Sequence, residues 1–177
     1  MRERVRRSAE LQRLDPFTLY IAPSHDELAA EGHLYMDDGQ TFAYRDDQAF
    51  LARKFTLTRD GPGHLRLAST SLTGRDIHTS ASSTALQVPG NAYEQETSSV
   101  RVERIIVYGL PEVHRIIARD AHGHETSLAF TYTSGTPRSP TASDASARLA
   151  SRLEIRDPRV LIGQDWSCLL YTSDAAD

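Results

Sequence analysis

The chain has one cysteine, Cys168, and one tryptophan, Trp166, among its 177 residues. A single cysteine excludes an internal disulfide framework and any zinc site built on several cysteines. No apolar run approaches the roughly 20 residues that span a bilayer, and the charged N-terminal stretch lacks the apolar segment that a secretory signal contains. We therefore expect no membrane partner and no metal held by cysteine.

The chain also has no excess of positive charge, because 20 Lys and Arg residues stand against 24 Asp and Glu residues and the formal net charge is −4. A negative chain has no bulk attraction to nucleic acid or to anionic lipid. The densest basic cluster is Arg2, Arg4, Arg6 and Arg7, and its alternation fits one face of a strand better than a nucleic-acid contact. The sequence thus predicts no nucleic-acid partner.

Apolar residues make up 39% of the chain and charged residues 25%, as in an ordinary globular protein. Many short segments alternate apolar and polar residues with the period of a β-strand, and no long segment has the helical period. The pattern predicts an all-β fold, either a sandwich or a barrel. The predicted strands are residues 17–22, 33–36, 41–44, 50–57, 64–67, 100–108, 113–119, 126–132, 153–155 and 160–162.

The connections between these strands carry recognisable turn signals. Asp37-Asp38-Gly39 predicts a tight turn that leads back into residues 41–44, because glycine readily adopts positive φ. Residues 26–30 could form one helical turn capped by Ser24. Residues 69–99 and 134–151 are rich in serine and threonine, which predicts long surface loops or partly disordered insertions.

Two clusters superficially resemble metal sites. His122 and His124 flank a glycine beside Glu125, but zinc requires three or four ligands held rigidly, so a hairpin tip is the better interpretation. Asp37-Asp38-Gly39 could begin a calcium loop, yet Gln48 stands where the bidentate glutamate belongs. A tight turn again explains this motif better.

Motifs of enzyme chemistry are missing. The chain contains no G-x-S-x-G, no phosphate-binding glycine motif and no carboxylate pair in a glycosidase-like context. We therefore predict no catalytic, cofactor-binding or metal-binding residue in this chain, and no cofactor.

Residues 4–57 resemble the C-terminal region of glycoside hydrolase family 31, and later segments fit the same pattern in order and spacing. The matching segments are RRS at residues 6–8, DPFTL at 15–19, GHLYMDDG at 32–39, FLARKF at 50–55, VERIIVYG at 102–109 and IGQDW at 162–166. The family combines a catalytic (β/α)₈ barrel with proximal and distal C-terminal β-sandwiches. The barrel motifs that carry its catalytic aspartates are absent here, so no catalytic role transfers to any residue of this chain.

The resemblance implies a division of the chain. Residues 1–22 would be the last strands of the proximal sandwich, and residues 23–167 would form the distal antiparallel β-sandwich. The last ten residues, 168–177, have the sequence CLLYTSDAAD. Their back-translation resembles a sequencing-library adapter, which predicts a tail that contributes little to the stability of the fold. Any extension of an edge strand by Leu169 and Leu170 is expected to fray.

The resemblance also implies a function. The chain would be a non-catalytic fragment of an α-glucosidase that trims glucose from N-linked glycans in the endoplasmic-reticulum lumen. Its partners would be the barrel and proximal sandwich of the same protein, with a regulatory β-subunit as a further partner. Another α-glucosidase or an α-xylosidase of the family is the nearest alternative identity. A free-standing carbohydrate-binding module and a small independent enzyme are alternatives from other classes.

Overall fold

Two β-sheets share one apolar core. The computed structural model describes residues 12–72, 91–135 and 150–173. The first sheet has the strand order β1-β5-β9-β8, and the second has the order β2-β3-β4-β10-β6-β7. In the first sheet, β1 pairs with β5 in parallel, whereas the remaining pairs of both sheets are antiparallel.

The strands are short and follow the alternating segments of the sequence. The first sheet contains β1 (Phe17–Ile21), β5 (Val102–Tyr108), β8 (Phe130–Thr133) and β9 (Arg152–Arg156). The second contains β2 (Ala30–Met36), β3 (Leu51–Arg59), β4 (His64–Ser71), β6 (Val113–Arg119), β7 (Glu125–Ser127) and β10 (Trp166–Thr172). Two helical segments join them, α1 (Ala43–Asp46) and α2 (Ala92–Glu96). Among the described residues, neither helix has the length and apolarity needed to cross a membrane.

The core lies between the sheets because alternate residues of each strand point inward. The first sheet contributes Ile105 and Ile155, and the second contributes Leu57, Leu67 and Ile116, all almost completely buried. Phe17, Leu19 and Ile21 of β1 pack against the same core at its margin. The prediction of an all-β sandwich is confirmed, with the parallel β1–β5 pair as the one departure from an antiparallel arrangement in the part of the chain described here.

The return strand predicted at residues 41–44 is wrong. The chain instead forms α1, in which the amides of Arg45 and Asp46 donate to the carbonyl of Phe42. The strand that pairs with β2 is β3, with Ala30 opposite Leu57. The connection therefore spans residues 37–50 rather than a tight turn at residues 37–39 alone, because Asp37 and Asp38 organise a larger loop around their carboxylates.

Other predicted elements also change. Residues 126–132 divide between β7 and β8, which belong to different sheets. Residues 160–162 form only an isolated bridge between Arg101 and Leu161. The single helical turn predicted at residues 26–30 forms slightly earlier, because the carbonyl of Ser24 accepts the amide of Leu28 at 3.1 Å and Ala30 already begins β2. The Ser24 side chain also accepts the amide of Ala29 at 3.3 Å. The two loops predicted at 69–99 and 134–151 lie in large part outside the described residues. Where the first is described, the loop prediction is wrong, because residues 69–71 belong to β4 and residues 92–96 form α2 with Tyr93 buried.

Strand β10 lies in the middle of the second sheet, between β4 and β6. Cys168 and Leu170 point into the core and are completely buried. The expectation that Leu170 extends an exposed edge and frays is therefore wrong, because both sides of β10 are hydrogen-bonded. An adapter origin of residues 168–177 concerns the transcript and stays a prediction.

We expect Leu170→Ala to lower the free energy of unfolding by about 2–5 kcal/mol, because a completely buried leucine leaves a cavity. Leu169→Ala is the matched control, since the neighbouring side chain points to the outer face and is only partly buried. Urea unfolding followed by tryptophan fluorescence measures both variants. Equal midpoints for the two variants would show that β10 does not occupy the centre of the sheet.

Candidate functional site

The loop after β2 is built around two aspartates. Asp37 Oδ1 accepts the amide of Gly39 at 2.8 Å, and Asp38 Oδ1 accepts the amide of Thr41 at 3.0 Å. Gly39 has a φ of 64°, the left-handed conformation that the turn motif predicts. The hydrogen bond from the Thr41 side chain, assisted by backbone amides, lowers the pKa of Asp38 below its ordinary value. These carboxylates thus stabilise the loop itself.

Both motifs that resemble metal sites use aspartate carboxylates to bind backbone amides. The second, at the β6–β7 tip, centres on Asp120, whose Oδ1 accepts the amides of His122 at 2.8 Å and His124 at 2.9 Å. The amide of His124, more than any other group, lowers the pKa of Asp120. Within residues 12–72, 91–135 and 150–173, no group of three or more His, Cys, Asp or Glu side chains is placed to hold a metal. Both motifs act as turns in the described structure.

Three large aromatic side chains are exposed around the same loop, namely Tyr35, Phe42 and Tyr44. We call them the aromatic patch. Phe42 is 64% exposed, and its ring lies 6.3 Å from that of Tyr44, centroid to centroid. Arg45 places its guanidinium 5.1 Å from the centre of the Phe42 ring. Exposed aromatic rings of this size are typical of surfaces that contact another molecule.

Tyr35 anchors the aromatic patch to the sheet. Its ring stacks on that of Phe50 at 5.5 Å, and its hydroxyl donates to Asp37 Oδ2 at 3.1 Å. Partial burial is the main cause that raises the pKa of Tyr35, and the hydrogen bond to Asp37 raises it further. Below Tyr35, the buried residues Phe50, Ala52 and Leu72 form a second small apolar cluster, separate from the main core. The aromatic patch therefore rests on a packed base.

A groove opens where the edge strands β1 and β2 face each other. It encloses about 380 Å³. Its apolar lining consists of Leu19, Ile21, Ala30, Phe55, Leu57 and Leu67. The groove therefore reaches from the open side of the sandwich to core residues, and it contains Glu31 as the single acidic side chain of its lining.

The segments FLARKF and IGQDW meet in space through Arg53. This side chain is 2% exposed, and its Nη2 donates to Asp165 Oδ1 and to the carbonyl of Gln164, both at 2.6 Å. Its Nε also donates to Ser69 Oγ at 3.2 Å. Burial lowers the pKa of the Arg53 guanidinium, although Asp165 opposes that effect. A guanidinium is charged at any physiological pH, so the partners are needed to compensate its burial.

Asp165 adds a backbone contact with β4 to this network. Its Oδ1 also accepts the amide of Ser71 at 3.0 Å, while 62% of the side chain remains exposed. Arg53 and Asp165 therefore connect β3, the end of β4 and the start of β10. The sequence motifs contain both residues, but nothing in their spacing indicates that they form an ion pair.

No protein-family model matches the chain. The chain is nevertheless similar to individual proteins over most of its length. The chain is 27% identical to human neutral α-glucosidase AB over 93% of its own length and 13% of that protein. It is 38% identical to the glucosidase 2 subunit α of Schizosaccharomyces pombe over 61% of its length and 10% of that protein.

A solved structure has the same fold. It is the endoplasmic-reticulum glucosidase II heterodimeric complex, which consists of a catalytic subunit and the binding domain of a regulatory subunit. The TM-score is 0.67 at 24% identity, over 94% of this chain and 15% of the matched chain. At this identity the match establishes the fold alone.

These comparisons confirm the resemblance stated from the sequence motifs. The chain is a homologue of glycoside hydrolase family 31 α-glucosidases and matches a partial C-terminal region of them. More particularly, its relatives include neutral α-glucosidase AB and the glucosidase 2 subunit α. The chain spans only about an eighth of their length.

The turn at residues 37–39 can be tested directly. We expect Gly39→Val to cost about 1–2 kcal/mol of stability, because a β-branched residue resists the left-handed conformation. Within the described residues, and apart from its two chain neighbours, no atom lies within 4 Å of an added Cβ, so the expected cost comes from the backbone conformation. Asp38→Ala should lower the urea midpoint, whereas Asp38→Asn should lower it less, because the amide oxygen still accepts backbone hydrogen bonds. An unchanged midpoint in Gly39→Val would contradict the turn.

The Arg53 network predicts that both of its charged residues matter more than an exposed ion pair. We expect Arg53→Met to destabilise the fold by about 1–3 kcal/mol, because the buried Ser69 hydroxyl and the carbonyls of Gly163 and Gln164 lose their hydrogen-bond donor. Asp165→Asn should also destabilise the fold, because it keeps an oxygen acceptor but leaves the buried guanidinium without a counter-charge. Asp60→Asn, at an exposed ion pair with Arg66, is the control. The prediction fails if thermal unfolding shows Arg53→Met to be no worse than Asp60→Asn.

Proposed function

We propose that this chain is a non-catalytic C-terminal β-sandwich of a longer family 31 α-glucosidase and that it supports the catalytic barrel of that protein. The observation that carries the proposal is the asymmetry of coverage. The match to human neutral α-glucosidase AB extends over 93% of the chain but only 13% of the relative. A segment of this size holds a β-sandwich, whereas the family's catalytic barrel is a separate and larger unit.

The aromatic patch supplies the surface for such support. Phe42 and Tyr44 are too exposed to contribute much to the stability of the sandwich, and burying a phenylalanine against a partner gains about 1.5–3 kcal/mol. The occupant that we propose is an apolar surface of the catalytic barrel in the same polypeptide. Its presence is supported by the length of the relatives, most of which lies outside the matched region.

The finer features of the proposal follow the named relatives. The resemblance assigns residues 1–22 to the proximal sandwich and residues 23–167 to the distal one, but β1 pairs with β5 and β10 extends to Thr172. We therefore propose that the distal sandwich of the longer protein runs from Phe17 to Thr172. The hydrolysis would be the trimming of glucose from N-linked glycans in the endoplasmic-reticulum lumen. A regulatory subunit would be a further partner, in keeping with the heterodimeric complex whose catalytic subunit shares this fold.

A carbohydrate-binding module is the second candidate function. It is favoured by the exposure of Phe42 and Tyr44 in the loop that contains Asp37 and Asp38, because aromatic rings stack on sugar rings, although the two carboxylates already accept hydrogen bonds from the loop itself. Arg45, however, already lies over the Phe42 ring. A ligand would have to displace that guanidinium or bind the opposite ring face.

The first test is activity. We expect the purified 177-residue chain to release no chromophore from an aryl α-glucoside at any pH, because hydrolysis with retention requires a nucleophile and a general acid on one scaffold. The α-glucosidase that contains the barrel is the positive control. Turnover that co-purifies with the chain and disappears on its immunodepletion would overturn the proposal.

The second test concerns the aromatic patch. We expect Phe42→Ser to leave the thermal midpoint of the isolated chain nearly unchanged but to lower that of the barrel-containing protein. His122→Ser, at the exposed β6–β7 tip, is the control and should change neither. A binding isotherm for a glucose oligosaccharide that is lost in Phe42→Ser, with no effect on the longer protein, would favour the carbohydrate-binding module instead.

A further inference from the structure

The outer face of the first sheet carries a cluster of arginines around one carboxylate. Residues Arg152, Glu154 and Arg156 alternate along β9 and therefore point to the same side. The strand register places Arg104 of β5 opposite Arg156, and Ile106 opposite Glu154. These three arginines and Glu154 form what we call the arginine face.

Glu154 holds the three guanidinium groups together. Its carboxylate is 5% exposed and accepts Arg156 Nε at 2.9 Å, while Arg152 Nη2 lies 2.7 Å from Oε2. Arg104 Nε lies 3.4 Å from the same carboxylate and makes no hydrogen bond within the described structure. Burial raises the pKa of Glu154, but the hydrogen bonds from Arg156 and Arg152 outweigh burial and lower the pKa below its ordinary value. The carboxylate is consequently ionised at neutral pH.

The cluster retains an excess of positive charge. Three guanidinium groups against one carboxylate leave a local charge of +2 on a chain whose net charge is −4. Each guanidinium has five N–H donors, and one carboxylate can satisfy only a few of them. Arg104 and Arg156 are moreover cross-strand neighbours, an arrangement of like charges that disfavours the sheet unless anions compensate it.

The surroundings suit a broad contact rather than a small pocket. The register places Thr18, Tyr20, Tyr108 and Thr131 on the same outer face, and none of them has a carboxylate side chain. None of the three arginines lines the apolar groove between β1 and β2. Glu103 and Asp157, whose backbones are hydrogen-bonded to each other, mark the end of the face beyond Arg104 and Arg156.

We propose that the arginine face is a docking surface for an acidic polypeptide segment. The occupant follows from charge complementarity, because carboxylate side chains pair with guanidinium groups in a planar, two-point geometry. Glu154 acts as the internal template that keeps the three guanidinium groups at fixed positions before the partner arrives. This surface lies on the first sheet, whereas the aromatic patch belongs to the loop after β2 in the second sheet, so the two proposals are independent.

The probe is a fluorescently labelled oligoglutamate peptide, titrated with the full 177-residue chain. We expect binding that weakens steeply when the ionic strength rises from about 0.05 M to about 0.5 M, because salt screens exposed charges. Arg156→Gln should weaken binding about two- to fivefold, and the double variant Arg104→Gln/Arg156→Gln about tenfold or more. Arg115→Gln, an exposed arginine on the second sheet, is the matched control and should bind like the unmodified chain.

A variant of the template separates docking from folding. If Glu154→Gln remains folded by circular dichroism, it should bind oligoglutamate more tightly, because the internal competitor for the guanidinium groups has lost its charge. If that variant does not fold, the two arginine variants still decide the matter, since each removes an outward charge. Equal affinities of Arg156→Gln and Arg115→Gln, or the absence of salt-sensitive binding, would overturn the proposal. Tighter binding of a heparin oligosaccharide through the same arginines would also overturn it, because the partner would then be a polysaccharide.

Discussion

The burial of a single arginine constrains much of this sandwich. Arg53 lies in β3 with its charge removed from water, and it is held by Ser69 of β4, the carbonyls of Gly163 and Gln164, and Asp165. An unpaired buried charge is strongly unfavourable, so these partners must be in place when β3 packs. They belong to segments far apart in sequence, and the interaction therefore couples the edge half of the second sheet to the start of its central strand.

This coupling orders the rest of the sheet. The segment that carries Gly163, Gln164 and Asp165 leads directly into β10, which separates β4 from β6. Once β10 is in register with Ser69 and Ala68, its alternate residues Cys168 and Leu170 point inward. The apolar core then closes against the first sheet. A polar contact at the margin thus lies directly beside a strand whose stability comes from apolar burial.

The two outer regions of the sandwich differ in chemistry because different constraints act on them. Near the loop after β2, Asp37 and Asp38 bind backbone amides, which leaves the neighbouring aromatic rings exposed. On the first sheet, Glu154 is surrounded by guanidinium groups and its charge is more than balanced. A domain with one apolar and one basic surface is suited to contacts with more than one neighbour, in the same polypeptide or in another.

The sequence by itself determined the fold class and the resemblance to family 31 α-glucosidases, because strand periodicity and short motifs such as GHLYMDDG and VERIIVYG depend on local order alone. It also predicted the turn at Gly39, since positive φ is a property of one residue and its neighbours. Tertiary structure decided which strands pair: β2 joins β3 rather than residues 41–44, and β1 joins β5 in parallel. It also decided the ion pair of Arg53 with Asp165 and the convergence of three arginines on Glu154. Such contacts depend on register and burial across distant segments, and a periodic pattern carries no information about which distant segment supplies the partner.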